Sequence, residues 1–115
     1  MALAWKNANL DSSSPAYNAA TAVFTITETE LGYKPDQEYS LHQISTTGLD
    51  GGTYSVNILV PGESAFRASG LTGLAETDVA ILDSFLTVLA IQIVYLNLGV
   101  ANAPKVSITS RLRGL

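Results

Sequence analysis

From Thr21 onward, apolar and polar residues alternate in short runs, each closed by turn formers. The clearest run is Gly52 to Val60, where Tyr54, Val56, Ile58 and Val60 alternate with Thr53, Ser55 and Asn57 before Pro61-Gly62 breaks it. A two-residue period places one set on a buried face and the other toward solvent, so a strand is predicted there. Lys105 to Arg113 has the same form, with Val106, Ile108, Ser110 and Leu112 inward and Lys105, Thr109, Arg111 and Arg113 outward. Thr21 to Thr27 is a third strand, with Phe24 and Ile26 on one face, and Tyr39 to Thr47 a fourth. Turns are predicted at Gly32–Asp36, which contains Pro35, and at Gly48-Leu-Asp-Gly-Gly52, built of residues that tolerate positive φ. Ser64 to Ser69 reads as a short strand carrying Phe66 opposite Arg67. Leu71 to Leu82 is ambiguous: Thr77-Asp78 suits the start of a helical turn, while Val79, Ile81 and Phe85 alternate as a strand does.

The stretch Ser84 to Pro104 carries no charge over 21 residues. Gln92, Asn97, Gly99, Asn102 and Pro104 interrupt it, and its dense apolar part, Phe85 to Leu96, is shorter than the roughly 20 residues a membrane helix needs. Thr87, Val88, Ile91, Ile93 and Val94 are β-branched, which favours a strand over a membrane span. Apolar on both faces, it is expected to lie centrally in a sheet and to be covered on both sides.

Short strands with turn signals every eight to twelve residues or so, and no convincing amphipathic helix, predict an all-β fold, an antiparallel β-sandwich or jelly-roll-like barrel. Residues 1–20 contain Asn7, Asn9, Asp11, a serine run and Pro15, and read as an irregular N-terminal arm on a single β-domain of residues 21–115. Trp5 and Tyr17 are large side chains in this arm, and a neighbouring subunit is one place for them to dock; for Trp5 the chain's own core is the alternative. Removal of residues 2–17 is then expected to leave the domain folded.

Composition adds a surface argument. Of 115 residues, 47% are hydrophobic and 14% charged, where an average soluble domain has about 25% charged. So few charges imply that other chains cover part of the surface. All ten acids lie in residues 1–83, whereas residues 84–115 hold Lys105, Arg111 and Arg113 and no acid. An acidic body with a basic end suits head-to-tail contact, in which Arg111 and Arg113 meet an acidic neighbour, or else a solvated tail. It does not suit nucleic acid, which calls for a broad basic face.

Candidate chemistry is sparse. There is no cysteine, which removes disulfides, thiolate metal sites and thiol nucleophiles. The start of the chain lacks the pattern of a signal peptide, and synthesis in cytoplasm is expected. His42 is the sole histidine, so a Ser–His–acid triad would have to use it. The acid pairs Glu28/Glu30, Asp36/Glu38 and Glu76/Asp78 are read as solvated strand ends or loops, and Asp50-Gly51-Gly52 as a hairpin turn without the further oxygen ligands of a calcium loop. No catalytic residue, cofactor or metal is assigned. Five tyrosines and one tryptophan leave a carbohydrate-binding module open, although core packing accounts for them as well.

The stretch Gly52-Thr-Tyr-Ser-Val-Asn-Ile-Leu-Val-Pro-Gly-Glu-Ser-Ala-Phe-Arg67 resembles a segment common in small structural proteins of tailed bacteriophages: a strand, a Pro-Gly turn, then an aromatic strand. Ala90-Ile-Gln-Ile-Val-Tyr95, the loop at Gly99 to Ala103 and the closing Lys105-Val-Ser-Ile-Thr-Ser110 are similar in texture. The resemblance implies a virion component without catalytic residues, first a capsid cement or decoration protein and second a tail or head–tail connector piece. It also implies contact with the major capsid protein or other virion subunits, and many identical, symmetrically associated copies.

Overall fold

The computed structural model describes residues 5–32, 39–83, 88–99 and 102–112. The predicted turn at Pro35, the Asp36/Glu38 pair, Phe85 to Thr87 and Arg113 lie outside them. Among the described residues nine strands and one helical turn follow in the order β1 (Trp5–Leu10), β2 (Tyr17–Asn18), β3 (Val23–Ile26), α1 (Glu28–Leu31), β4 (Tyr39–Thr47), β5 (Thr53–Leu59), β6 (Arg67–Leu74), β7 (Ala80–Asp83), β8 (Ala90–Leu96) and β9 (Lys105–Leu112). They form two antiparallel sheets, one ordered β1-β9-β4-β7 and the other β2-β3-β8-β5-β6. The all-β sandwich predicted from the alternation is the fold of this chain.

The core lies between the inner faces. Ile44, Val106, Ile108 and Leu82 come from the first sheet, and Phe24, Ile26, Tyr54, Val56, Ile91, Ile93 and Tyr95 from the second, all buried. Each fully buried large side chain contributes about 1.5–3 kcal/mol, so the interdigitation of these faces holds the sheets together. Tyr17, Phe24 and Tyr95 form an aromatic cluster, with the Tyr17 and Phe24 ring centres 4.7 Å apart.

The N-terminal segment is not an irregular arm throughout. Residues 5–10 are an edge strand in unbroken register with β9, from Trp5 opposite Arg111 to Leu10 opposite Val106. Asparagine and lysine disfavour strands in isolation, but β9 offers a complete ladder, and only one face of an edge strand need be apolar. Ala8 fills that face, while Asn7 accepts hydrogen bonds from Thr109 (3.0 Å) and Ser107 (3.4 Å) on the other. The turn formers act one step later, at residues 11–16, where the Ser14 N–H bonds to the Asp11 carbonyl at 3.0 Å. Deletion of residues 2–17 would therefore remove a strand and a core tyrosine.

Three other elements differ from the pattern reading. Thr27 ends β3 and caps α1, and Glu30 closes a capping box by accepting from the Thr27 N–H at 2.8 Å. The Thr-x-x-Glu spacing is the sequence signal for this, and it gives Glu28 and Glu30 a helical rather than a strand-end setting. The strand predicted at Ser64–Ser69 instead starts at Arg67 and runs through two glycines to Leu74. β8 is the third of five strands, as predicted, but is covered on one side: Ile91, Ile93 and Tyr95 are buried, and Gln92 and Val94 are half-buried.

The turn from Gly48 to Gly52 fastens the sheets at one end. Leu49 is fully buried within it. A methyl group at Gly52 would lie 2.7 Å from the Leu96 carbonyl oxygen, and one at Gly48, whose φ is +78°, would lie 2.6 Å from that of Ala103. Only glycine permits these backbone approaches.

Candidate functional site

The alternation that builds β4 and β9 drives His42 and Ser110 into the core side by side. His42 Nδ1 lies 2.7 Å from Ser110 Oγ, and the two residues are 2% and 0% exposed. A nucleophile–base pair must present its oxygen to a substrate, and this one is sealed beneath both sheets. Burial pushes the imidazole down to about 4, so it is neutral over the physiological range and serves as a hydrogen-bonding core residue.

A second buried polar group ties the sheets together. Thr46 Oγ1 lies 2.7 Å from the Lys105 carbonyl oxygen and 2.7 Å from Tyr95 Oη. The carbonyl only accepts, so the single Thr46 proton goes to it, and Tyr95 must donate to Thr46. Burial raises the Tyr95 pKa, which keeps that phenol protonated and able to donate. Tyr54 Oη donates to the Asp78 carbonyl at 2.7 Å. Among the described residues, every buried side-chain nitrogen and oxygen has a partner.

The predicted contact residues fare differently. β1 and β9 bring Trp5 and Arg111 opposite one another, and Arg111 is exposed on the outer face of its sheet. Tyr17 does not reach a neighbour: it is 9% exposed, packed on Phe24 and Tyr95, and its hydroxyl donates to Asn102 Oδ1. An isolated aromatic in a polar segment looked like a docking group because two of its partners, Tyr95 and Asn102, lie far along the chain.

Two surface features emerge that residue patterns alone did not single out. The first is an open groove of about 340 Å³ on the outer face of the four-stranded sheet, lined by Asn9, Asp11, Ser45, Thr47, Lys105 and Ser107, together with Leu10 and Val106. These residues converge because β1, β9 and β4 are adjacent in space. Two hydrogen bonds from Ser13, hydroxyl and backbone, hold the Asp11 carboxyl below the usual carboxylate range. The groove thus offers one carboxylate, one ammonium group, an amide and three hydroxyls to a polar ligand. The second feature is β7 and the residue before it: Val79 and Ile81 are 48% and 47% exposed beside a strand that bonds to β4 on one side. Inward Ala80 and Leu82, rather than Val79 and Ile81, carry that strand's buried face.

Among the described residues there is no group of three or more His, Asp or Glu able to hold a metal ion, and no helix is long and apolar enough to cross a membrane. No protein-family model and no curated protein matches the sequence.

Proposed function

We propose that this chain is a non-enzymatic structural protein of a tailed-phage virion, of the capsid cement or decoration type, that binds and stabilises the assembled head. Its partners are the major capsid protein or other virion subunits, and its place is the virion, after synthesis in host cytoplasm. The observation that carries this reading is a division within the molecule. The single imidazole is sealed in the core with Ser110, whereas the outward surface offers strand edges, exposed aliphatic residues and a hydroxyl-rich sheet. The low charge content and the phage-like texture of residues 52–67 and 90–110 support the same reading. A subunit that binds only the assembled shell stabilises that state by mass action. Adding the purified full chain to heads that lack it should raise their burst temperature and leave it bound after sedimentation. Heads that neither retain it nor gain heat resistance would exclude the decoration role.

The groove favours a second reading, a carbohydrate-binding or receptor-binding β-module. Its hydroxyls, amide and carboxylate suit the vicinal hydroxyls of a sugar. Polysaccharide retention that Asp11→Ala abolishes would select this reading over the first.

A further inference from the structure

We propose that copies of this chain join head to tail through the two terminal strands of the four-stranded sheet, β7 of one copy pairing with β1 of the next. Four observations carry this. First, β1 and β7 are the terminal strands of that sheet, and among the described residues no backbone–backbone hydrogen bond outside the β1–β9 and β4–β7 ladders involves residues 5–10 or 80–83; the Ala80 backbone bonds instead to the Tyr54 side chain. A row of unpaired N–H and C=O groups is a template for another strand.

Second, beyond its shortness and the terminal Asp83, β7 has little of the usual protection of an edge. Ala80-Ile-Leu82 has no charge and no proline, its register with β4 runs without a slip, and Ile81, like Val79 just before the strand, is exposed. Leu41, half-buried on the same outer face, extends this apolar margin.

Third, strand direction fits. All three pairings in the sheet are antiparallel, so β1 and β7, at opposite ends of four strands, run in opposite senses. A second copy in the same orientation therefore brings its β1 antiparallel to β7, and the sheet continues with its alternation intact.

Fourth, charge chooses between the two antiparallel arrangements. Pairing β7 with its own two-fold mate brings the acidic positions 78 and 83 of the two copies to the same ends of one short ladder. Pairing it with β1 brings that acidic margin to exposed Lys6, with exposed Lys105 and Arg111 on the adjoining β9. The contact is heterologous, so it builds a ring or a row of copies rather than a closed two-fold dimer. It does not depend on the shell reading, because the purified chain tests it without any particle.

The absence of cysteine makes the test clean. Full-length Ile81→Cys and Asn7→Cys chains, both altered on the outer face, are mixed and treated with a short bismaleimide linker. The Ile81–Asn7 product is expected at roughly tenfold the yield of either same-site product. Predominance of the Ile81–Ile81 product would overturn the proposal in favour of two-fold pairing. Absence of every crosslinked product, with a monomer mass by light scattering at the highest attainable concentration, would overturn it altogether. Ile81→Lys in the otherwise unaltered chain should shift the assembly to monomer with an unchanged circular dichroism spectrum; an unchanged mass would also count against the proposed edge.

Discussion

The strands β6 and β7 close the same side of the sandwich, one at the margin of each sheet, yet they treat their free edges in opposite ways. β6 is bent out of use. Val56 faces Leu71 while the next residue, Asn57, faces Ala68, so Ser69 and Gly70 are surplus and the strand bulges. Gly70 and Gly73 have φ of +93° and +65°. The Ser69 hydroxyl donates to the Val56 carbonyl at 2.6 Å, and Ser55 Oγ accepts from the Gly73 N–H at 3.3 Å. Bulges and glycines of this kind twist an edge away from would-be partners. β7 is short but keeps an unbroken register with β4 and holds Ile81 outside. An edge left able to pair, beside one that has been disabled, marks β7 as the margin where contact is made.

Four changes would break or sharpen this contrast. The largest effect is expected from Leu82→Ala, which opens a void behind β7 and should cost about 2–4 kcal/mol in urea unfolding; Leu74→Ala in β6, only partly buried, should cost about half as much. Equal losses would mean that the two edges are anchored alike. The next effect comes from acid, through His42 on the strand that holds β7. Its folded pKa is about 4 against an ordinary 6.5, so the unfolded chain binds the proton more readily. Stability is then fully present above pH 6.5, falls as pH drops, and is lower by about 3 kcal/mol at pH 4. His42→Gln should flatten this part of the pH–stability curve, and a curve of unchanged slope would place its origin elsewhere.

Smaller effects follow at the surface. Gly73→Ala has free space for its methyl group but must hold φ of +65°, so a loss of about 1 kcal/mol is expected, localised to β6 by faster amide exchange there. The smallest change is Ile81→Lys, expected to leave the unfolding free energy of the monomer within about 0.5 kcal/mol, since its side chain meets solvent rather than core. A larger loss would mean that Ile81 supports its own fold.

Much of this molecule is legible from residue order. Alternation placed β4, β5 and β9 almost to the residue, and the inward set Val106, Ile108 and Ser110 is the buried set, because a two-residue period maps directly onto the two faces of a strand. The same rule put His42 in phase with Ile44, and both are buried. Where alternation was weak or misleading, neighbours decided. Lys6 to Leu10 has poor strand propensity and became a strand because β9 presented a ladder to it. β6 runs through two glycines because β5 holds it there in spite of its bulges. In β7 Ile81 points outward, since the register with β4 gives the inner positions to Ala80 and Leu82.

What residue order determined by itself, then, was the local period, the turns and the two-faced strands, all set by interactions among residues close in the chain. Tertiary structure alone decided that Tyr17 meets Tyr95, that Ser110 meets His42, and which strands end each sheet. Those outcomes depend on long-range pairing, where burial and ladder hydrogen bonds across the whole chain outweigh local preference.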